Sequence, residues 1–344
     1  MLETGRPGFG RRASALLRSD RMDMTVAQEL QEWLADGVRH RRTLAAINAF
    51  AVGWRGGRFE EMMRGVNGAS AEALAGAVCA LFADDEWVGE AIAGLAAAAR
   101  ADCFFEPPFA ATSSDVHAGL VLFDDPRLTI AAGVSAVADL AAKKSGARGA
   151  TSIGFTGRVS VIKFLKAGGA RLSFWEAAPI GAGFTAAGAG RCRPAGTRRV
   201  EDGEILVVDG RRRGFVIEQA RANLVLLQAE ILLDQAPVRV EYDSASLAFV
   251  GCSANDDTAS RIQMLTTLLR KLDCAAAIPA MAALLDHPDF FVRWHVMREL
   301  LGLDAAAALP HLRRMAARDP HPETRRAARS VLDRLEAPGS RRAA

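Results

Sequence analysis

The stretch DGEILVVDGRRRGFVIE, Asp202–Glu218, sets two runs of apolar and β-branched residues on either side of a turn holding three consecutive arginines, Arg211, Arg212 and Arg213. Short runs rich in Val and Ile, bounded by Asp-Gly, read as strands. The expected arrangement is a hairpin. Alternation puts Ile205, Val207 and Asp209 on one face and Leu206 and Val208 on the other. The arginines then occupy a turn at one end of the sheet. There Glu201, Asp202, Glu204, Asp209 and Glu218 offset their charge, and a solubilising role is expected of them.

The same rhythm continues on both sides. Strands are expected at 204–209, 214–219, 223–233, 238–242 and 246–251. Upstream, SIGFTGRVSVIKFLKAGGARLSFWEAAPI (Ser152–Ile180) holds two more around KAGGA, whose paired glycines permit a tight reversal and a second hairpin. Many short strands without helices between them point to an antiparallel sandwich or barrel, not a doubly wound sheet. GAGFTAAGAG (Gly181–Gly190) has the glycine spacing of a dinucleotide fingerprint, but it precedes strands where a fingerprint opens a helix, so it reads as a loop.

The run RPAGTRRVEDGEILVVDGRRRGFVIEQARANLVLLQAEI, Arg193–Ile231, resembles cupin barrels, and residues 104–254 are expected to form a cupin-like β-domain. In enzymatic cupins an HxH pair, a Glu and a later His hold a metal. This chain has no histidine between His117 and His287. The reading therefore expects no metal and no cofactor. The resemblance also implies dimerisation through an edge of the β-domain.

Composition sets outer bounds. Of 344 residues, 50% are hydrophobic and 24% charged, which suits a folded chain of two or three compact parts. The net charge of +3 resides in the leader, where Arg6, Arg11, Arg12, Arg18 and Arg21 face only Glu3 and Asp20. The remainder is neutral, so a nucleic-acid partner is not expected. No run reaches the ~18–20 apolar residues of a membrane span. Five scattered cysteines without a CxxC pair suggest reduced thiols and a cytoplasmic location. Residues 1–24 are expected to be a disordered basic leader, and 337–344 a disordered tail.

Residues 25–103 read as helical. TVAQELQEWLADGVRHRR has Thr25 three residues before Gln28, a capping-box spacing, and further caps are expected at Ser70 and at Asp84 or Asp85. The prolines of Glu106–Phe109 end this region. GLVLFDD and LTIAAGV follow as strands, and SAVADLAAKK as a short helix.

Beyond Asp256 the chain repeats. Arg261, Arg293 and Arg325 are spaced by 32 residues, as are Leu268, Leu300 and Leu332, and likewise Pro288 and Pro320. A fixed period with helical apolar spacing marks stacked helical hairpins. The segments AIPAMAALLDHPDFFVRWHVMRELLGL and ALPHLRRMAARDPHPETRRAARSVLDRL resemble HEAT repeats, with residues 255–336 expected to form the array. The arginines are expected to pair with aspartates of a neighbouring turn, such as Asp257 or Asp289. The fold class is thus α+β: N-terminal helices, a central antiparallel cupin-like sandwich or barrel, and a C-terminal α-solenoid.

Candidate functional residues are few. His117, near Ser113, Ser114 and Asp115, is the histidine nearest the sheet region. Glu176 shares a strand face with Phe174; an internal face makes it a cavity carboxylate, an external one a solvated edge charge, and the second is expected. Glu218 joins these two as a candidate ligand-binding residue. Trp294, Arg298, Arg293 and Arg325 are candidates for partner contact, because buried aromatics and arginines anchor interfaces. Cys252, before a helix start, could carry a lowered thiol pKa. No residue is assigned a catalytic role. The functional expectation is a non-enzymatic scaffold for a protein or peptide; the alternative is a small-molecule enzyme or accessory biosynthetic factor using a β-domain cavity.

Overall fold

The computed structural model describes residues 20–84, 86–113, 117–138 and 152–336. The leader up to residue 19, Ser114, Asp115, most of SAVADLAAKK and the tail from 337 lie outside the described residues. The chain divides into two compact units, residues up to 65 with 84–109, and residues 66–83 with 110 onward.

The first unit holds α1 (Asp20–Ala35), α2 (Gly37–Arg55), α3 (Arg58–Gly65) and α5 (Glu86–Ala101). Thr25 lies inside α1 and does not cap it, since the helix already runs from Asp20. What reads as one helix through TVAQELQEWLADGVRHRR is two. Asp36 breaks it because its carboxylate accepts from the Val38 and Arg39 amides at 2.9 and 3.0 Å and caps α2. Trp54, Phe59 and Trp87 form an aromatic core, with Trp54 and Phe59 stacked 4.9 Å apart and Phe59 4.8 Å from Trp87.

In the second unit, α4 (Ala71–Ala83) is capped by Ser70, whose hydroxyl accepts from the Ala73 amide. The strands are β1 (Ala110–Ser113), β2 (His117–Asp124), β3 (Leu128–Ser135), β4 (Ser152–Phe155), β5 (Val159–Lys166) and β6 (Arg171–Glu176). They continue with β7 (Arg193–Arg199), β8 (Ile205–Asp209), β9 (Arg213–Gln219), β10 (Leu224–Ile231), β11 (Val238–Asp243) and β12 (Phe249–Ala254). They form a six-stranded sheet of order β1-β2-β3-β10-β5-β8 and two three-stranded sheets, β12-β11-β4 and β7-β6-β9, and all pairings between these strands are antiparallel.

The expected hairpins are absent at both predicted places. β5 and β6 flank KAGGA but belong to different sheets, and so do β8 and β9 on either side of the arginine turn. Each turn carries the chain across the sandwich. The burial pattern explains why: Ile162, Phe164, Leu206 and Val208 of one sheet meet Leu172 and Phe174 of the other in a single apolar core. A flat hairpin would leave one of those faces in water. Strand β5 is buried from Val159 to Phe164 on both of its faces, because α4 covers the outer one. Lys163 lies beneath α4 and donates from Nζ to the Phe82 carbonyl at 2.6 Å, satisfying a helix C-terminal acceptor.

The C-terminal helices are α6 (Asp257–Lys271), α7 (Ile278–Ala283), α8 (Phe290–Leu303), α9 (Ala305–Arg318) and α10 (Pro322–Glu336). Asp256 caps α6 and Asp304 caps α9. Met281, Leu285, Val296, Met297, Leu300, Leu312 and Met315 make their shared core. This array is fastened to the sandwich. Phe290 stacks on His321 at 3.8 Å, and His321 donates from Nε2 to the Phe184 carbonyl at 2.9 Å. Among the described residues no helix is long and apolar enough to cross a membrane.

Candidate functional site

The 32-residue period has a physical cause. Arg293 donates from Nε and Nη2 to the two carboxylate oxygens of Asp319, both at 2.8 Å, and from Nη1 to the His287 and Pro288 carbonyls, each at 2.8 Å. The pair is buried, so its bidentate geometry offsets desolvation. One repeat later Arg325 does the same to the equivalent carbonyls, bonding Asp319 and Pro320 from Nη1. The aspartate used is Asp319 of the following turn, where Asp257 or Asp289 was expected. Asp289 instead has its carboxyl pushed up by burial.

Arg261 breaks the series. Position 287, one period before Asp319, is a histidine, and the Asn255 carbonyl that Arg261 would take accepts from Arg158 Nη2 at 2.5 Å. Arg158 Nε also donates to Gln235 at 2.8 Å in the loop between β10 and β11, and its bond to Asn255 ties the sandwich to the start of the array. Arg261 is exposed, with no partner among the described residues.

The predicted partner-contact residues therefore differ in kind. Arg293 is buried and engaged, and Arg325 is held by backbone carbonyls. Trp294 is half-buried against the array core. Arg298 is exposed and has no partner among the described residues. Between the last two hairpins a cleft of about 360 Å³ is lined by His287, His311, Arg314 and Arg318, with Met315 and Asp319 in its wall. Arg314 reaches Asp286 at 3.5 Å, while Arg318 has no partner among the described residues.

The candidate ligand residues are not brought together. His117 lies on β2, its Nδ1 3.3 Å from Ser135 Oγ. Its ring rests on Gly133, where a Cβ would approach to 2.4 Å. Glu218 pairs with Arg171 at 3.2 Å in another sheet. Phe174 belongs to the sandwich core, but Glu176, the last residue of β6, has its side chain 39% exposed, a charge at the edge of the sheet. Glu176 accepts from Arg193 at 2.8 Å at the rim of an open cleft of about 590 Å³ that also carries Asp209, Arg212 and Arg213.

The three turn arginines have separate surroundings. Arg211 is bound to Asp209 at 2.8 Å and to Glu72 of α4 at 2.6 Å. Arg212 sits 3.4 Å from Asp209. Arg213 stacks its guanidinium 4.6 Å from the Phe174 ring centre. A solubilising turn was expected; Arg211 instead joins the crossover to α4. Cys252 differs from expectation too: burial, with the Glu323 carboxylate adding to it, pushes its thiol up. In the Gly181–Gly190 loop the amides of Ala186 and Ala187 bind Glu323, an anion supplied by the array itself.

Comparison with known proteins fits the helical geometry. Residues 251–333 match the family model for HEAT repeats. The HEAT match spans the stretch that carries the arginine period. No curated protein matches the chain. Solved structures similar to it include a cupin domain from Bordetella pertussis Tohama I, at 12% identity over 35% of this chain and 97% of that one, with a TM-score of 0.21. Ectoine synthase from P. lautus is similar at 10% identity over 35% of this chain and 67% of that one, TM-score 0.21. Oxalate decarboxylase from Bacillus subtilis matches at 13% identity over 48% and 34%, TM-score 0.23. The α+β class rests on the strand pairings and the helical array themselves.

Sequence reasoning passed over Glu230. It follows from strand alternation that Gln228 and Glu230 share the inner face of β10 with Leu226, a pattern visible in LVLLQAEI.

Proposed function

We propose that this protein is a non-enzymatic binding scaffold whose HEAT-type array holds a protein or peptide partner, with the β-sandwich as its rigid mount. The observation that carries this reading is the cleft between the last two hairpins. Its walls are fixed by the buried Arg293–Asp319 pair, while His311, Arg314 and Arg318 offer hydrogen-bond donors along it. Exposed Arg298 and half-buried Trp294 add contact surface on α8. Arg293 then shapes the wall and leaves the contact to others, while Arg325 braces the turn at Asp319 and Pro320. The test compares capture from a lysate of the source cells by the wild-type chain and by the Arg314→Glu, Arg318→Glu double variant. One protein held by the first and lost by the second, at unchanged melting temperature, is the expected result. Equal capture by both removes the reading.

A second reading has one observation in its favour. The cleft at Glu176 gathers Arg193, Arg212 and Arg213, donors suited to a small carboxylate or phosphate. Citrate and inorganic phosphate titrated calorimetrically against wild type and Arg212→Ala, Arg213→Ala test it, with binding only to the wild type as the expected outcome.

A further inference from the structure

Strand β6 ends on Glu176, and the register sets it between two arginines. Arg193 of β7 lies opposite it on one side and Arg213 of β9 on the other. Glu176 accepts from Arg193 at 2.8 Å, and the Arg213 side chain has no hydrogen bond or ion pair among the described residues. The other carboxylate of this cleft is engaged as well. Asp209 holds Arg211 at 2.8 Å and has Arg212 at 3.4 Å, and Arg211 also reaches Glu72 at 2.6 Å. Three carboxylates, Glu72, Glu176 and Asp209, thus face four arginines, which leaves one positive charge, and Arg213 is the arginine without a carboxylate.

Arg213 is also held ready. Its guanidinium lies 4.6 Å from the centre of the Phe174 ring, and Phe174 is buried in the sandwich core. Stacking on a buried ring fixes the plane of the fork without using its donors. Its Nε–H is shielded from solvent and has no acceptor, a costly state for a native fold that a ligand oxygen would relieve. The walls beside it are apolar. Ala177, Pro179 and Val207 line the same cleft, and Val207 is 47% exposed on the edge strand β8. At about 590 Å³ the cleft has room for much more than a bare ion. A guanidinium fork matches the two oxygens of one carboxylate. A phosphate monoester carries about two negative charges at pH 7 and would leave the cleft with a net negative charge. We infer that the cleft binds a monocarboxylic acid with an aromatic or aliphatic body, its carboxylate on Arg213 and its body against Val207 and Pro179. This rests on the anion reading of the Glu176 cleft and narrows it to one class of ligand, with Arg193 and Arg212 staying with Glu176 and Asp209.

Phenylacetate, acetate and phenyl phosphate are titrated calorimetrically against the full chain, beside citrate and inorganic phosphate. Phenylacetate is expected to bind saturably, more tightly than phenyl phosphate and at least ~10-fold more tightly than acetate, because its ring takes apolar wall out of water. Arg213→Lys keeps the charge and loses the fork, and should weaken phenylacetate at least ~10-fold at unchanged melting temperature. Val207→Ser, at an exposed position, should narrow the gap between phenylacetate and acetate, and it decides the matter should the lysine variant melt lower. Phenylacetate no tighter than acetate, tighter binding of phenyl phosphate, or phenylacetate binding indifferent to either variant overturns the inference. If citrate or inorganic phosphate then still binds the wild type alone, the anion reading survives. No binding by any of these anions ends both.

Discussion

Glu230 shows what a single carboxyl can do inside a sandwich. It accepts from Ser160 at 2.9 Å and from Gln228 at 2.6 Å on the inner face of the six-stranded sheet. Burial pushes its carboxyl up, with those two hydrogen bonds opposing. A carboxyl raised on folding binds more protons in the native state than in the unfolded one, so stability falls as pH rises from the ordinary Glu range through the raised value. Glu230→Gln should therefore melt higher than wild type at neutral pH. The difference should vanish below the ordinary Glu range, where both states are protonated, and melting curves across pH check it. Arg293 is the opposite case, a charge fully paired. Arg293→Ala should cost about 3–5 kcal/mol by leaving Asp319 buried and alone, whereas Arg293→Leu with Asp319→Leu should recover much of that loss, as urea unfolding would measure. The arginine period was legible because identity and spacing are linear. The partner Asp319 was not, since which turn lies above which depends on how hairpins stack.

At the scale of elements, strand positions were legible and strand partners were not. The alternation in EILVVD and GFVIE marks β8 and β9 to within a residue or two, but nothing local tells a two-residue reversal within a sheet from a crossing between sheets. The KAGGA turn shows the constraint that decides it. Gly168 has φ +60, and a Cβ there would lie 2.3 Å from the Ala222 carbonyl oxygen, so the turn is pressed against the loop that leads into β10. Gly168→Ala should destabilise by about 1–3 kcal/mol, read from thermal unfolding. Helix ends were read with mixed success for a similar reason. Ser70 caps as its type suggests, while Thr25 is overrun because α1 begins earlier.

For the whole molecule, the HEAT-type array and the sandwich are joined by Phe291, which packs against the sandwich core, and by polar links. Arg158 to Asn255, His321 to Phe184, and Glu323 to the amides of Ala186 and Ala187 cross that boundary. Arg158→Ala should speed amide exchange in α6 more than in α9, measured by hydrogen–deuterium exchange, because α6 lies beside the lost bond. The fold class was legible from strand rhythm and repeat period. The candidate ligand site was not, because His117, Glu176 and Glu218 are grouped by sequence region and only pairing could show that they lie apart. One feature of the strand order also governs how the chain comes off the ribosome. Strand β10 lies between β3 and β5, so until it emerges the six-stranded sheet exists as two unconnected pieces, β1-β2-β3 and β5-β8. Neither piece can close the sandwich during synthesis. A nascent chain stopped short of Leu224 would present both with open edges, making it a substrate for chaperones and a seed for aggregation.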